Sequence, residues 1–198
     1  MPLGAIKAAI MGVSGVSTGD VVLLATNNIT SGVSASAFTS GITSTYGEYV
    51  FKFYGMHPAT DDVTFQVNFS IDGGSNYNVT KTTTFYQGQN GESSGDGGSL
   101  SYKNGEDLAQ ATGYQSLGTN LGNDADQHAA GELRLFNPAS TTYAKHFLSR
   151  CICMHSANYA NDTFITGYIN TTSAVNAISF QMSSGNIDVG KIKMWGVK

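Results

Sequence analysis

Charge is scarce in this chain. Asp, Glu, Lys and Arg make up 12% of its 198 residues, about half the share usual in a globular domain. The ten Lys and Arg residues are scattered and the net charge is −4, so no basic stripe forms of the kind that neutralises phosphates, which excludes nucleic-acid binding. Long apolar runs are missing too. None approaches the roughly 18 residues of a membrane-spanning helix, and the opening MPLGAIKAAIMGVSGVSTGD, with one lysine and interrupting glycines, makes a poor signal peptide. The expectation is a soluble protein made in a bacterial cytoplasm, with no membrane partner.

Cysteine is nearly absent. Cys151 and Cys153 stand at i and i+2 in CICMH; on a strand that spacing puts both on one face, about 6.5–7 Å apart, too far for an easy disulfide. No second cysteine pair or suitably spaced histidine completes a zinc site, so they are expected to be two small buried thiols. Five N-x-S/T tripeptides, at Asn28, Asn68, Asn78, Asn161 and Asn170, presuppose secretion and read as chance in a chain so rich in Asn, Ser and Thr.

What the chain does have is alternation. Val63, Phe65, Val67, Phe69 and Ile71 alternate with Thr64, Gln66, Asn68 and Ser70, the pattern of a strand with one face on a core and one in water. Similar strands are predicted at 49–54, 79–86, 132–136, 146–155, 163–170, 178–182 and 191–197, with shorter ones at 21–25 and 36–38. Eight to ten short strands with turn signals between them, and almost no helical periodicity, predict an all-β fold. The expected architecture is an antiparallel two-sheet sandwich, jelly-roll-like. The stretch DGGSN, 72–76, falls between two predicted strands and supplies an Asx turn and glycines for positive φ. A calcium loop needs more carboxylates than Asp72 alone, so a hairpin corner is expected there.

Two segments fall outside this pattern. Residues 1–18 form a predicted arm or short helix, with Leu3, Ile6, Ile10 and Val13 at helical spacing, Pro2 suited to a first turn, and Gly12 and Gly15 ending it. Too short to be stable alone, it must dock on its own core or on another subunit, and these four residues are the candidate assembly contact. The remainder, 19–198, is the sandwich domain. Within it, 87–131 is dominated by Gly, Ser, Asn, Asp and Gln and is expected to be one long Gly-rich loop. Its Tyr102 and Tyr114 are candidates for contacting a partner or a glycan, since tyrosine combines a flat apolar face with a polar tip, or for anchoring the loop to its own sheet.

Catalytic motifs do not assemble. GESSG, 91–95, matches the G-x-S-x-G nucleophile elbow but lacks the helix that must follow. His57, His128, His146 and His155 lie in separate elements, and Glu48, Glu92, Glu106 and Glu132 are scattered rather than paired for glycoside hydrolysis. DADQH places Asp124, Asp126 and His128 in alternation, yet inside a Gly-rich loop where such residues commonly serve turns. Asp61 and Asp62 suit a turn before a strand. No P-loop or dinucleotide fingerprint is present. The sequence thus assigns no catalytic, cofactor-binding or metal-ligating residue.

Taken together, MPLGAIKAAIMG, STYGEYVFKFYGMHPATDD, FQVNFSIDGGSNYN, GELRLFNPASTTYAKHF and INTTSAVNAISFQMSSGNIDVGKIKMWGV resemble the small virion structural proteins of tailed bacteriophages, especially marine phages. The resemblance spans most of the chain outside the central loop. It implies a non-enzymatic β module on the outer surface of the particle, assembled in the host cytoplasm. Its partners would be other virion proteins, the major capsid protein or tail proteins, and further copies of itself, a trimer being one arrangement. A capsid decoration or cement module is the first expectation. A tail-fibre or tail-tip module contacting a host surface glycan is the second, and an envelope-polysaccharide hydrolase is a remote third. A hydroxyl-rich, weakly charged sandwich suits a particle component, because little of its stability depends on surface charge that salt would screen.

Overall fold

The computed structural model describes residues 20–198. The candidate assembly residues Leu3, Ile6, Ile10 and Val13 lie outside them. All regular structure in the described part is β: β1 (Val21–Ile29), β2 (Ala35–Phe38), β3 (Glu48–Pro58), β4 (Val63–Ser70), β5 (Lys81–Gly91), β6 (Gly98–Tyr102), β7 (Gln115–Leu121), β8 (Ala129–Phe136), β9 (Lys145–Met154), β10 (Tyr159–Ile169), β11 (Ala177–Met182) and β12 (Ile187–Val197). They form an eight-stranded sheet, ordered β1-β12-β3-β8-β9-β10-β5-β6, and a four-stranded sheet, ordered β2-β11-β4-β7. Every strand pair is antiparallel.

The alternation seen in the sequence places the core between the sheets. Phe65, Val67 and Phe69 of β4 are fully buried, as are Phe51 and Phe53 of β3 and Phe180 of β11. Phe65 stacks on Phe180 at 5.9 Å and meets Phe53 edge-on at 5.2 Å, while Phe69 packs on Phe147 of β9 at 5.1 Å. Each such aromatic pair adds about 0.5–1.5 kcal/mol to the transfer free energy of its buried area.

Three local expectations change. The first is DGGSN. Because β4 belongs to the small sheet and β5 to the large one, the turn carries the chain across the sandwich rather than closing a hairpin. Its chemistry is the anticipated Asx turn. Asp72 accepts from the Ser70 hydroxyl at 2.7 Å and from the Asn76 backbone and side-chain amides at 2.9 and 2.7 Å, with Gly73 and Gly74 at φ of 74° and 92°. These donors, the Asn76 side chain first, hold the Asp72 carboxyl down at about 2.

The second change is the segment 87–131, which is not one loop. It contains the end of β5, all of β6 and β7, and the start of β8. Strand β7, QSLGTNL, is almost wholly buried yet polar, which is why alternation fails to reveal it. Its polar groups meet inward-facing polar side chains of the large sheet. Gln87 donates to the Thr119 hydroxyl at 2.9 Å, Asn161 donates to the Thr119 carbonyl at 3.1 Å, and the hydroxyls of Thr83 and Thr163 donate to the Gln115 side chain and the Leu117 carbonyl. One end of the interior is therefore a hydrogen-bonded layer, stable because every buried dipole there has a partner.

The third is the outward set of β4. Asn68 and Ser70 were expected in water but are fully buried, because the residues around Tyr77 and Thr112 cover that end of the strand: Asn68 donates to the carbonyls of both, at 2.6 and 3.0 Å.

Cys151 and Cys153 point inward and are both free. Strand β7 passes directly over them: a methyl group at Gly118 would lie 2.9 Å from the Cys151 sulfur and 3.5 Å from that of Cys153. Burial pushes the Cys153 thiol up to about 12 and that of Cys151 well above its ordinary range. The native protein should therefore resist a thiol reagent at pH 8, and both thiols should titrate once denaturant is added. A fast native reaction would place them at an accessible surface. Since the folded state holds these protons after the unfolded state has released them, the thiols' contribution to stability is complete below pH ~9 and falls as the pH rises above it.

Candidate functional site

The two sheets differ in width. Eight strands at about 4.8 Å spacing span roughly 34 Å and four span about 14 Å, so the small sheet cannot cover the large one. Strand β6 is exposed along most of its length, and β1 exposes Val21 and Leu23. The opposite, outer face of the large sheet is uncovered by any other described element, and the side chains presented there form the candidate site.

Strand register sorts that face into rows. One runs Lys193–Lys52–Glu132–Arg150–Phe164–Tyr86–Tyr102 across β12, β3, β8, β9, β10, β5 and β6. Its first half is charged: Lys52 meets Glu132 at 3.8 Å, and Glu132 also binds Arg134 at 2.9 Å. Its second half is aromatic. Tyr86 and Tyr102 meet edge to face at 5.1 Å, and the Arg150 guanidinium lies 4.7 Å from the centre of the Phe164 ring. Asp162 fixes Arg150 through two bonds, at 3.0 and 2.7 Å, a bidentate grip that a lysine could not reproduce.

Neighbouring rows add Leu148, Ile152, Leu100 and Tyr168, all exposed. On four adjacent strands, β9, β10, β5 and β6, seven large apolar side chains thus face outward, counting Leu100, Tyr102, Tyr86, Leu148, Ile152, Phe164 and Tyr168. Exposed apolar groups scattered singly need no explanation, whereas a contiguous set on a flat face marks a contact surface. A shallow groove of about 440 Å³ crosses it, between Leu148 and Thr166 on one side and Phe136, His146 and Tyr168 on the other. Gln110 bridges two of the residues that line it, donating to the Thr82 hydroxyl at 2.7 Å and to Tyr168 Oη at 2.9 Å.

Of the two tyrosines singled out from the sequence, Tyr102 belongs to this face. Its hydroxyl donates to Asp107, whose carboxylate thereby raises the phenol's pKa. Tyr114 precedes β7 in the small sheet and is half-buried, so the two do not share a surface. The other members of the face, Tyr86, Phe164, Leu148 and Ile152, were missed as site residues. They sit at outward positions of strands that the sequence did predict, and a surplus of apolar residues on the polar side of the alternation was the available signal.

The polar clusters behave as turns. GESSG and the following Asp96 form the β5–β6 connection, with Asp96 N–H donating to Ser93 O at 3.0 Å. Gln127 N–H donates to Asp124 O at 2.8 Å, closing the DADQH turn. Among the described residues no three His, Cys, Asp or Glu side chains gather where they could hold a metal ion, so Asp124, Asp126 and His128 are not brought together as ligands. No described helix is long and apolar enough to cross a membrane. The chain matches no protein-family model and no curated protein.

Proposed function

We propose that this chain is a non-enzymatic structural component of a bacteriophage particle, an exterior decoration module that attaches through the outer face of its eight-stranded sheet. The observation that carries this reading is the contiguous apolar and aromatic set on β9, β10, β5 and β6, on the face of the large sheet turned away from the second sheet. The resemblance to phage virion proteins supports the same reading. The major capsid protein is the proposed partner, and further copies of the chain the second. A flat face of mixed aromatic and aliphatic groups, with a charged half beside it, suits docking onto a broad protein surface. Aromatic residues and arginine are the types that contribute most at such contacts.

A second reading, a tail-fibre or tail-tip module that holds a host glycan, is favoured by one detail. Tyr86, Tyr102 and Phe164 stand beside the fixed Arg150–Asp162 pair, offering rings for stacking next to donors and acceptors for sugar hydroxyls.

Copy number separates them. Quantitative mass spectrometry of purified particles should find the chain in a fixed ratio to the major capsid protein, on the scale of the capsid lattice. A few dozen copies or fewer would favour the tail reading, and absence from purified particles would overturn both.

A further inference from the structure

At the other end of the outer face lies a second groove, of about 380 Å³, floored by Val21, Val50, Tyr54, Trp195 and Val197. Lys52 and the ion pair of Arg134 with Glu48, at 3.3 Å, border it. Its polar chemistry is incomplete, because the indole N–H of Trp195 is buried and has no acceptor among the described residues. A buried donor without a partner is uncommon in a folded protein and marks a place where one is to be supplied.

The described part of the chain begins beside this groove. Val21 is at once the first residue of β1 and part of the groove wall. Residues 1–19 carry Leu3, Ile6, Ile10 and Val13 at helical spacing, with Gly12, Gly15 and Gly19 placed around and after the end of that stripe. The Lys198 N–H donates to the Asp20 carbonyl at 3.0 Å, so residue 20 continues the β1–β12 ladder. Residue 20 is thus held in line with β1 at the end of the sheet.

We propose that this groove receives the Leu3–Val13 segment of a second copy of the chain, copies being joined by exchange of these segments. The proposal rests on reading the chain as an assembling particle component. Size, polarity and direction all fit. An 11-residue helix is about 16 Å long, and the groove crosses β1, β12, β3 and β8, three strand spacings or about 14 Å. The four apolar residues of the stripe match the apolar floor. With residue 20 held in line with β1, docking on the chain's own groove would require a reversal within residues 14–19, which docking on a neighbour's groove would not. An acceptor on the incoming chain completes the Trp195 N–H.

Trp195 is the single tryptophan of the chain, so its fluorescence reports on the groove directly. The test compares full-length protein with its Ile6→Asp/Ile10→Asp variant, following sedimentation and tryptophan emission over a dilution series. Wild type should assemble and, on dilution, dissociate in step with a red shift of the emission. The variant should be monomeric and red-shifted at every concentration, with an unchanged circular dichroism spectrum. Val50→Lys, on the groove floor, should behave like the variant. Excess synthetic peptide of residues 1–18 should dissociate wild type while keeping the emission blue-shifted. Assembly with emission identical in wild type and variant would place the contact elsewhere and overturn the inference while leaving the functional reading intact. An emission that depends on the segment but not on concentration, in a monomer, would mean that the segment folds onto its own groove and would overturn the exchange. Failure of the functional reading shows separately, as absence from purified particles.

Discussion

Asn68→Leu is expected to destabilise the fold by about 3 kcal/mol or more, the scale of stripping a partner from a buried charged group. Asn68 ties four segments together. Its carbonyl oxygen accepts from Lys81 Nζ at 2.8 Å and from the Phe69 N–H at 2.9 Å, and its amide donates to the carbonyls of Tyr77 and Thr112. Lys81 is fully buried, and its other acceptor is the Val79 carbonyl at 3.1 Å. Leucine nearly preserves the volume but leaves the ammonium with one partner and the Tyr77 and Thr112 carbonyls short of a donor. In a domain of this size that loss lowers Tm by roughly 2–4 °C per kcal/mol. Adding Lys81→Met should recover much of it, because the charge that needed the amide is gone. Non-additivity in this double-mutant cycle is the signature of the pair.

The same lysine sets a pH dependence. Burial lowers its pKa to about 8 from an ordinary value of 10.5. A folded-state pKa below the unfolded one means that the unfolded chain binds more protons between those values. The lysine's contribution is therefore favourable above that window and is lost as the pH falls through it. Relative to Lys81→Met, wild type should gain stability as pH rises from 7 to 10, by on the order of 3 kcal/mol at most. The comparison with the methionine variant is needed because the two buried thiols act in the opposite direction above pH ~9. A difference that stays flat with pH would mean that the amine is solvated.

Gly131→Val should abolish the native fold. Gly131 sits in β8 between Phe53 of β3 and Cys151 of β9, and a methyl group there would fall 2.2 Å from the Arg150 carbonyl oxygen, 2.8 Å from the Phe53 ring and 3.0 Å from Cys151 Cα. Two of those three neighbours are backbone, so relief requires parting the β8–β9 ladder at the centre of the large sheet. Costs of about 4 kcal/mol or more are the mark of such overpacking. Gly95→Ala is the control: nothing lies within 4 Å of a methyl group at that position, and surface substitutions of this kind fall within about 0.5 kcal/mol. Thermal melts of the two variants check both expectations. A cooperative, near-normal melt for Gly131→Val would show that β8 and β9 are not paired as described.

Which parts of this fold are legible in the sequence follows from what each strand packs against. Strands such as β3, β4 and β9 carry apolar residues on their inner face and are plain from alternation, because an apolar half-core demands it. Strand β7 is hidden because its interior is polar: Gln115, Ser116 and Thr119 are buried among Thr83, Gln87, Asn161 and Thr163, and hydrogen bonding between distant strands leaves no local period. Strand β6 is hidden for the opposite reason, being an edge with little to bury. DGGSN announced a turn correctly, through Asp72 and its glycines, but a local turn motif does not say whether the next strand pairs with the last one or crosses to the other sheet. The candidate site was legible only at Tyr102. Tyr86, Phe164 and Leu148 become a surface only when β5, β10 and β9 are placed side by side, and that adjacency comes from registers joining residues as far apart as 86 and 164.

The most direct test of the proposed role is a reconstruction of the phage particle at a resolution that resolves strands. The module should sit on the outside of the head, with Leu148, Phe164 and Tyr86 covered by the major capsid protein or by a neighbouring copy, and with the four-stranded sheet turned away from the contact. A particle in which that face stands open to solvent while the four-stranded sheet makes the contact, or one that lacks the chain, would contradict it.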